Sequence, residues 1–125
     1  MSTFHHFKEW IRYQRKAVSR HGVHSPFVYD FIEAVLRNGK GGLKDRIISY
    51  FGDYALAEDL WGFEGNITED TIIILNSIHK NEHTSGQWRA LCAQPQVTLS
   101  IDLFELGLLF FKKDFLQKQH FVLKR

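Results

Sequence analysis

Two histidines and a glutamate stand close together near the middle of the chain, at a spacing that some enzymes use to bind zinc. His79, Glu82 and His83 form the pattern H-x-x-E-H, the inverted zinc-protease motif. This motif needs a stable helix that places both imidazoles on one face, together with a third protein ligand. Asn81 and residues 84–86 are poor helix formers. The sequence therefore favours solvated histidines beside a sheet, and we predict no metal ligand here.

Cys92 is the only cysteine. A thiol near a histidine can act as a nucleophile, but Cys92 lies next to Trp88 and Leu91 on a face that predicts packing. We therefore expect a buried structural thiol. A single cysteine excludes an intramolecular disulfide and fits a reducing compartment.

Basic side chains cluster in the first predicted helix, which covers residues 4–20. They form a candidate basic patch that consists of Arg12, Arg15, Lys16 and Arg20, with Lys8 beside it and only Glu9 opposing it locally. Such a patch can bind phosphates or an acidic partner. The net charge of +2 is small, however, so nucleic-acid binding is the least favoured function and a solvated helix face is preferred.

Glycines at positions 39, 41 and 42 surround Lys40. A phosphate-binding turn of the dinucleotide type follows a strand and has the pattern G-x-G-x-x-G. This stretch follows a predicted helix and lacks the third glycine, so it predicts a linker that ends the helix.

Helical patterns dominate the first half of the chain. Ser25 is a predicted N-cap and Pro26 a first helical residue, and the apolar positions that follow have helical spacing. A further helix is predicted over 43–51, another turn or two of helix over 55–60, and a short helix over 87–93. The segment 61–66 is predicted to be loop.

Strand patterns dominate the second half. Residues 71–75 are β-branched or apolar throughout, which is typical of a strand buried on both faces. Residues 97–103 alternate apolar and polar side chains and predict an edge strand with one wet face, whereas 106–111 predict a central strand. Residues 118–124 predict a last strand. The fold class is therefore α/β or α+β.

Length and composition indicate one domain of 125 residues. We divide it into an N-terminal helical segment (1–42), a helix and loop (43–69) and a sheet portion (70–125). We expect no signal peptide, because charged and histidine residues interrupt the stretch after Met1, and no apolar run in the sequence is long enough to span a membrane. We therefore expect a cytoplasmic protein that does not bind membranes.

Two stretches resemble one bacterial group of class I S-adenosylmethionine-dependent methyltransferases. Residues 20–32, RHGVHSPFVYDFI, are similar to the helical segment that precedes the sheet in that group, and residues 70–125 are similar to its last three strands. The resemblance implies a partial Rossmann-like sheet of about three strands. It also implies the order fifth, seventh, sixth, with the seventh strand antiparallel and inserted between the other two.

The resemblance does not extend to the cofactor site. The chain has no counterpart of the strands and glycine-rich turn that hold S-adenosylmethionine in that group, and Asn76 and Ser77 stand where the group tends to have two acidic residues. No catalytic or cofactor-binding residue can be transferred. The expected function is a non-catalytic remnant that serves as a structural or protein-interaction module. The alternative is methyltransferase activity or cofactor binding that a partner chain completes.

The missing part of the sheet predicts an exposed edge at 71–75. Such an edge offers unpaired backbone groups to a partner, and Ile72, Ile73 and Ile74 become candidate interface residues. We expect either that the helix over 43–51 covers this edge or that two chains form a homodimer across it.

Overall fold

The computed structural model describes residues 5, 8–11, 13, 25–37, 40–52, 68–115 and 117–123, and the backbone of 55–58. The described residues before position 14 are helical. We call residues 5, 8–11 and 13 the N-terminal segment.

Two helices precede the sheet. Helix α1, Pro26–Phe31, begins as predicted, because Ser25 accepts a hydrogen bond from the backbone N–H of Val28 and Pro26 occupies the first turn. It continues as a π-helix, Ile32–Arg37. Helix α2, Leu43–Phe51, has the predicted bounds. The Arg46 side chain donates a 2.7 Å hydrogen bond to the carbonyl of Val35 and so joins α2 to the π-helix.

The chain then forms one mixed sheet, which confirms the mixed α/β class. Its strands lie in the order β1-β2-β4-β3-β5. Strand β4 is antiparallel to both β2 and β3, whereas β1 is parallel to β2 and β5 is parallel to β3. The sheet is larger than the three strands that the resemblance implies, because β1 and β5 extend it; β5 corresponds to the last strand predicted over 118–124. The bounds are Ala55–Glu58 (β1), Ile72–Asn76 (β2), Leu99–Asp102 (β3), Leu106–Phe110 (β4) and Gln119–Val122 (β5).

The predicted free edge at 71–75 is wrong. Strand β1 pairs with β2 in register from Ala55 opposite Ile72 to Glu58 opposite Leu75. The expected helix over 55–60 is correspondingly wrong for residues 55–58. Backbone pairing with β2 determines this conformation, and a four-residue stretch carries too weak a pattern to predict it.

The predicted edge position of residues 97–103 is also wrong. Strand β5 pairs with β3 on the side away from β4, with Ser100 opposite His120. The polar residues of β3 are buried rather than wet, because Ser100 contacts His120 at 2.6 Å and Asp102 contacts His79 at 2.7 Å. The alternating pattern correctly indicated that β3 has one apolar and one polar face, but the polar face is buried and not exposed to solvent.

Helix α3, Glu82–Cys92, begins five residues before the predicted helix. Asn81 caps it: its side chain accepts from the N–H of Thr84, and the Thr84 hydroxyl lies 3.1 Å from the N–H of Asn81. This reciprocal capping box stabilises a first turn whose residues have low helix propensity. The reading of 81–86 as a poor helix is therefore wrong.

Each face of the sheet has its own core. Helices α1 and α2 cover one face, where Phe31, Ile74 and Leu108 belong to a large apolar cluster. Helix α3 covers the other face, where its Trp88 belongs to a second apolar cluster with Ile73 of β2 and Leu109 of β4.

Trp88 lies directly on Gly107 of β4. A Cβ added at Gly107 would be 2.5 Å from the Trp88 ring, so only glycine permits this contact.

Candidate functional site

Polar side chains gather at the carboxyl ends of three parallel strands. Strands β2 and β3 run in the same direction, since both are antiparallel to β4, and β5 is parallel to β3. Asp102 is the last residue of β3, and His79 lies three residues after β2. Ligands of open α/β sheets bind outside the carboxyl ends of strands, so this edge is where a site is expected.

Asp102 is held by two hydrogen bonds. Its Oδ1 accepts from the N–H of Phe104 at 2.8 Å, within a turn in which Phe104 has a φ of 68°. Its Oδ2 lies 2.7 Å from Nε2 of His79. The carboxylate therefore fixes both the turn between β3 and β4 and the orientation of the imidazole.

The second nitrogen of His79 faces the N-terminal segment and α3. Nδ1 lies 3.4 Å from Oε2 of Glu9 and 3.3 Å from Oγ of Ser85. The Phe104 ring stacks on the imidazole with 5.4 Å between centroids. The two nitrogens of His79 thus connect the end of β3 to two different helices.

His5 extends this arrangement. Its Nε2 is 3.1 Å from Oγ of Ser85 and 3.8 Å from Oε1 of Glu9. Ser85 has no exposed surface, and its hydroxyl also lies 3.4 Å from the carbonyl of Ile78, to which it donates. We call His5, Glu9, His79, Ser85 and Asp102 the buried polar cluster.

Aspartate, histidine and serine in hydrogen-bonded series are also the groups of a hydrolase triad. A nucleophilic serine must reach its substrate, whereas Ser85 is fully buried and is absent from the residues that line the neighbouring cavity. The series Asp102, His79, Ser85 therefore holds elements together and does not present a nucleophile.

A cavity of about 770 Å³ opens beside the cluster. Glu9, His79 and Asp102 line it and are buried, at 6%, 8% and 6% exposed. Lys8, which is half-buried, and Arg89, which is exposed, are the Lys and Arg side chains among its described lining residues. The other lining residues are His5, Tyr13, Glu82, Trp88, Cys92, His120 and Val122.

The H-x-x-E-H pattern does not act as a unit. His79 precedes α3 and is buried, whereas His83 lies within α3 and is exposed. The expectation of solvated histidines is therefore wrong for His79. Within the part of the chain that the structure describes, no group of three or more His, Cys, Asp or Glu side chains could hold a metal ion.

Cys92 is half-buried and is not part of a disulfide. Burial raises the pKa of its thiol from 9.0 to about 11, although a hydrogen bond with Ser100 lowers it in part. A thiol that stays protonated near neutral pH is a poor nucleophile, so this position suits a structural role.

The predicted interface residues are not part of this region. Ile72, Ile73 and Ile74 are buried within the sheet, between β1 and β4, and the edge that would have made them an interface is occupied. Arg12, Arg15, Lys16 and Arg20 lie outside the described residues.

Sequence reasoning missed the partners of His79. The available signal was Asp102, a carboxylate at the end of a predicted strand, where parallel strands place functional groups. Glu9 gave no such signal, because it lies 70 positions before His79 and packing alone brings the two together. Ser85 is only six positions after His79, but the helix that places its hydroxyl beside the imidazole was not predicted to begin before residue 87.

Comparison of the chain with family models, with curated proteins and with solved structures finds no match. Among the helices of the described residues, none combines the length and the apolar character needed to cross a bilayer.

Proposed function

We propose that this chain is a non-catalytic relative of the S-adenosylmethionine-dependent methyltransferases and serves as a structural or protein-interaction module. The arrangement β2-β4-β3, with β4 antiparallel to both neighbours, is the one that the resemblance implies for the last three strands. The full fold also gives its fifth strand an outer neighbour, and β1 lies in that position beside β2.

The buried polar cluster is the observation that carries the non-catalytic part of the proposal. Both carboxylate oxygens of Asp102 and both nitrogens of His79 contact protein groups. These contacts bring together the end of β3, the start of α3 and the N-terminal segment. The polar groups at the carboxyl end of the sheet are thus engaged in holding the fold.

The positions after β2 support the same conclusion. Asn76 ends the strand and Ser77 follows it with a φ of 56°. Neither side chain is a carboxylate that could bind a hard metal ion or take a proton from a substrate.

Isothermal titration calorimetry with S-adenosylmethionine and its demethylated product tests the proposal. We expect no saturable binding of either molecule at micromolar concentrations. Saturable micromolar binding would contradict the non-catalytic function, because it would require a cofactor site that the chain retains.

The outer edge of β1 favours a second candidate function. Among the described strands, β1 pairs only with β2, so a partner chain that completed the site would add its strands along the outer edge of β1. A partner that adds strands there would extend the sheet on the side where the resemblance places the cofactor-binding half.

Sedimentation velocity over a range of protein concentrations, with and without S-adenosylmethionine, tests this candidate for a second copy of the chain. If a second copy completes the site, the cofactor will bind only to the dimer and will increase its proportion. A monomer at all concentrations that does not respond to the cofactor would exclude that version.

A further inference from the structure

We draw no further inference here: the strongest candidate, the cavity of about 770 Å³ beside the buried polar cluster, belongs to the site already described, and nothing in the described residues shows what chemical class of ligand would occupy it.

Discussion

The two faces of the sheet are covered in different ways. On the face that α1 and α2 cover, the contacts are apolar, and Phe31, Phe51 and Phe110 pack ring against ring. On the other face, α3 packs through Trp88, and the same face carries polar residues, Ser100 and Asp102, that hydrogen-bond to histidines.

This difference shows two ways in which one sheet can bury its side chains. Apolar packing depends on area and shape and tolerates variation among apolar residues of similar volume. A buried polar contact depends on the presence of each partner, because a buried group without one costs about 1–3 kcal/mol. The first face should therefore carry more of the stability, and the second should be more specific about residue identity.

Truncation of the apolar face should give the largest loss. Phe31→Ala removes a fully buried ring from the cluster, and we expect the free energy of unfolding to fall by about 3–5 kcal/mol. Urea unfolding followed by circular dichroism measures this change. Tyr29→Ala, in the same helix at a position that is 41% exposed, is the control and should change stability by about 0.5 kcal/mol or less. Equal losses for both variants would contradict the account of this face.

Overpacking at Gly107 should have the next largest effect on the free energy of unfolding. Gly107→Ala places a Cβ against the Trp88 ring, and we expect a loss of about 1–3 kcal/mol in chemical unfolding. Gly86→Ala is the matched control, since its Cβ would meet no atom closer than 3.9 Å and alanine favours the helix by up to about 1 kcal/mol.

A second substitution tests the cause of that loss. Combining Gly107→Ala with Trp88→Leu should produce a smaller loss than the sum of the single changes, because the smaller side chain relieves the clash. Strict additivity would argue against a clash with Trp88.

Removal of the negative charge of Asp102, within the buried polar cluster, should have a smaller effect on stability. Asp102→Asn keeps an oxygen for the N–H of Phe104 but weakens the contact with His79, and we expect a loss of about 1–2 kcal/mol in the free energy of unfolding. Thermal unfolding, compared with the exposed control Asp70→Asn, measures it. A loss no larger than that of Asp70→Asn would show that the cluster does not hold this face.

Ionisation of the Cys92 thiol should have no effect on stability near neutral pH, because the thiol is protonated in both the folded and the unfolded chain. Its pKa, raised by burial to about 11, leaves roughly a hundredfold less thiolate at pH 8 than its ordinary pKa of 9.0 would. Alkylation by iodoacetamide should therefore be at least about tenfold slower in the folded chain than in urea.

The pH dependence of stability follows from the same shift. Because the pKa is higher in the folded state than in the unfolded one, the contribution of Cys92 is intact below pH 9.0 and is lost as the pH rises to about 11. Cys92→Ala should lack this part of the alkaline loss. Equal alkylation rates in the folded and unfolded chain would contradict the burial of the thiol.

Much of the fold follows from local patterns. The cap formed by Ser25 and Pro26, the bounds of Leu43–Phe51 and the strands at 72–76 and 106–110 are all readable from spacing and propensity. Strand β1 and the first turn of α3 were not predicted, because sheet pairing stabilises the former and a capping box the latter.

The candidate site was predictable only in part. His79 drew attention through its spacing from His83, but the two have different environments and different roles. The partner of His79 is Asp102, which the alternating pattern placed on a wet face. Of its other neighbours, Glu9 comes from a distant part of the chain, and Ser85 comes from the first turns of α3, which were not predicted.

The sequence by itself determined the mixed α/β class, the positions of most elements and the separation of β3 into two faces, because these depend on side-chain period and on capping within a few residues. Only the tertiary structure decided that the polar face of β3 is buried. Asp102 contacts His79, and His79 in turn contacts Ser85 of α3 and Glu9 of the N-terminal segment, so this burial depends on contacts between separate segments. The tertiary structure also decided that Ile72, Ile73 and Ile74 lie inside the sheet, because pairing with β1 is a contact between separate segments that no local pattern encodes.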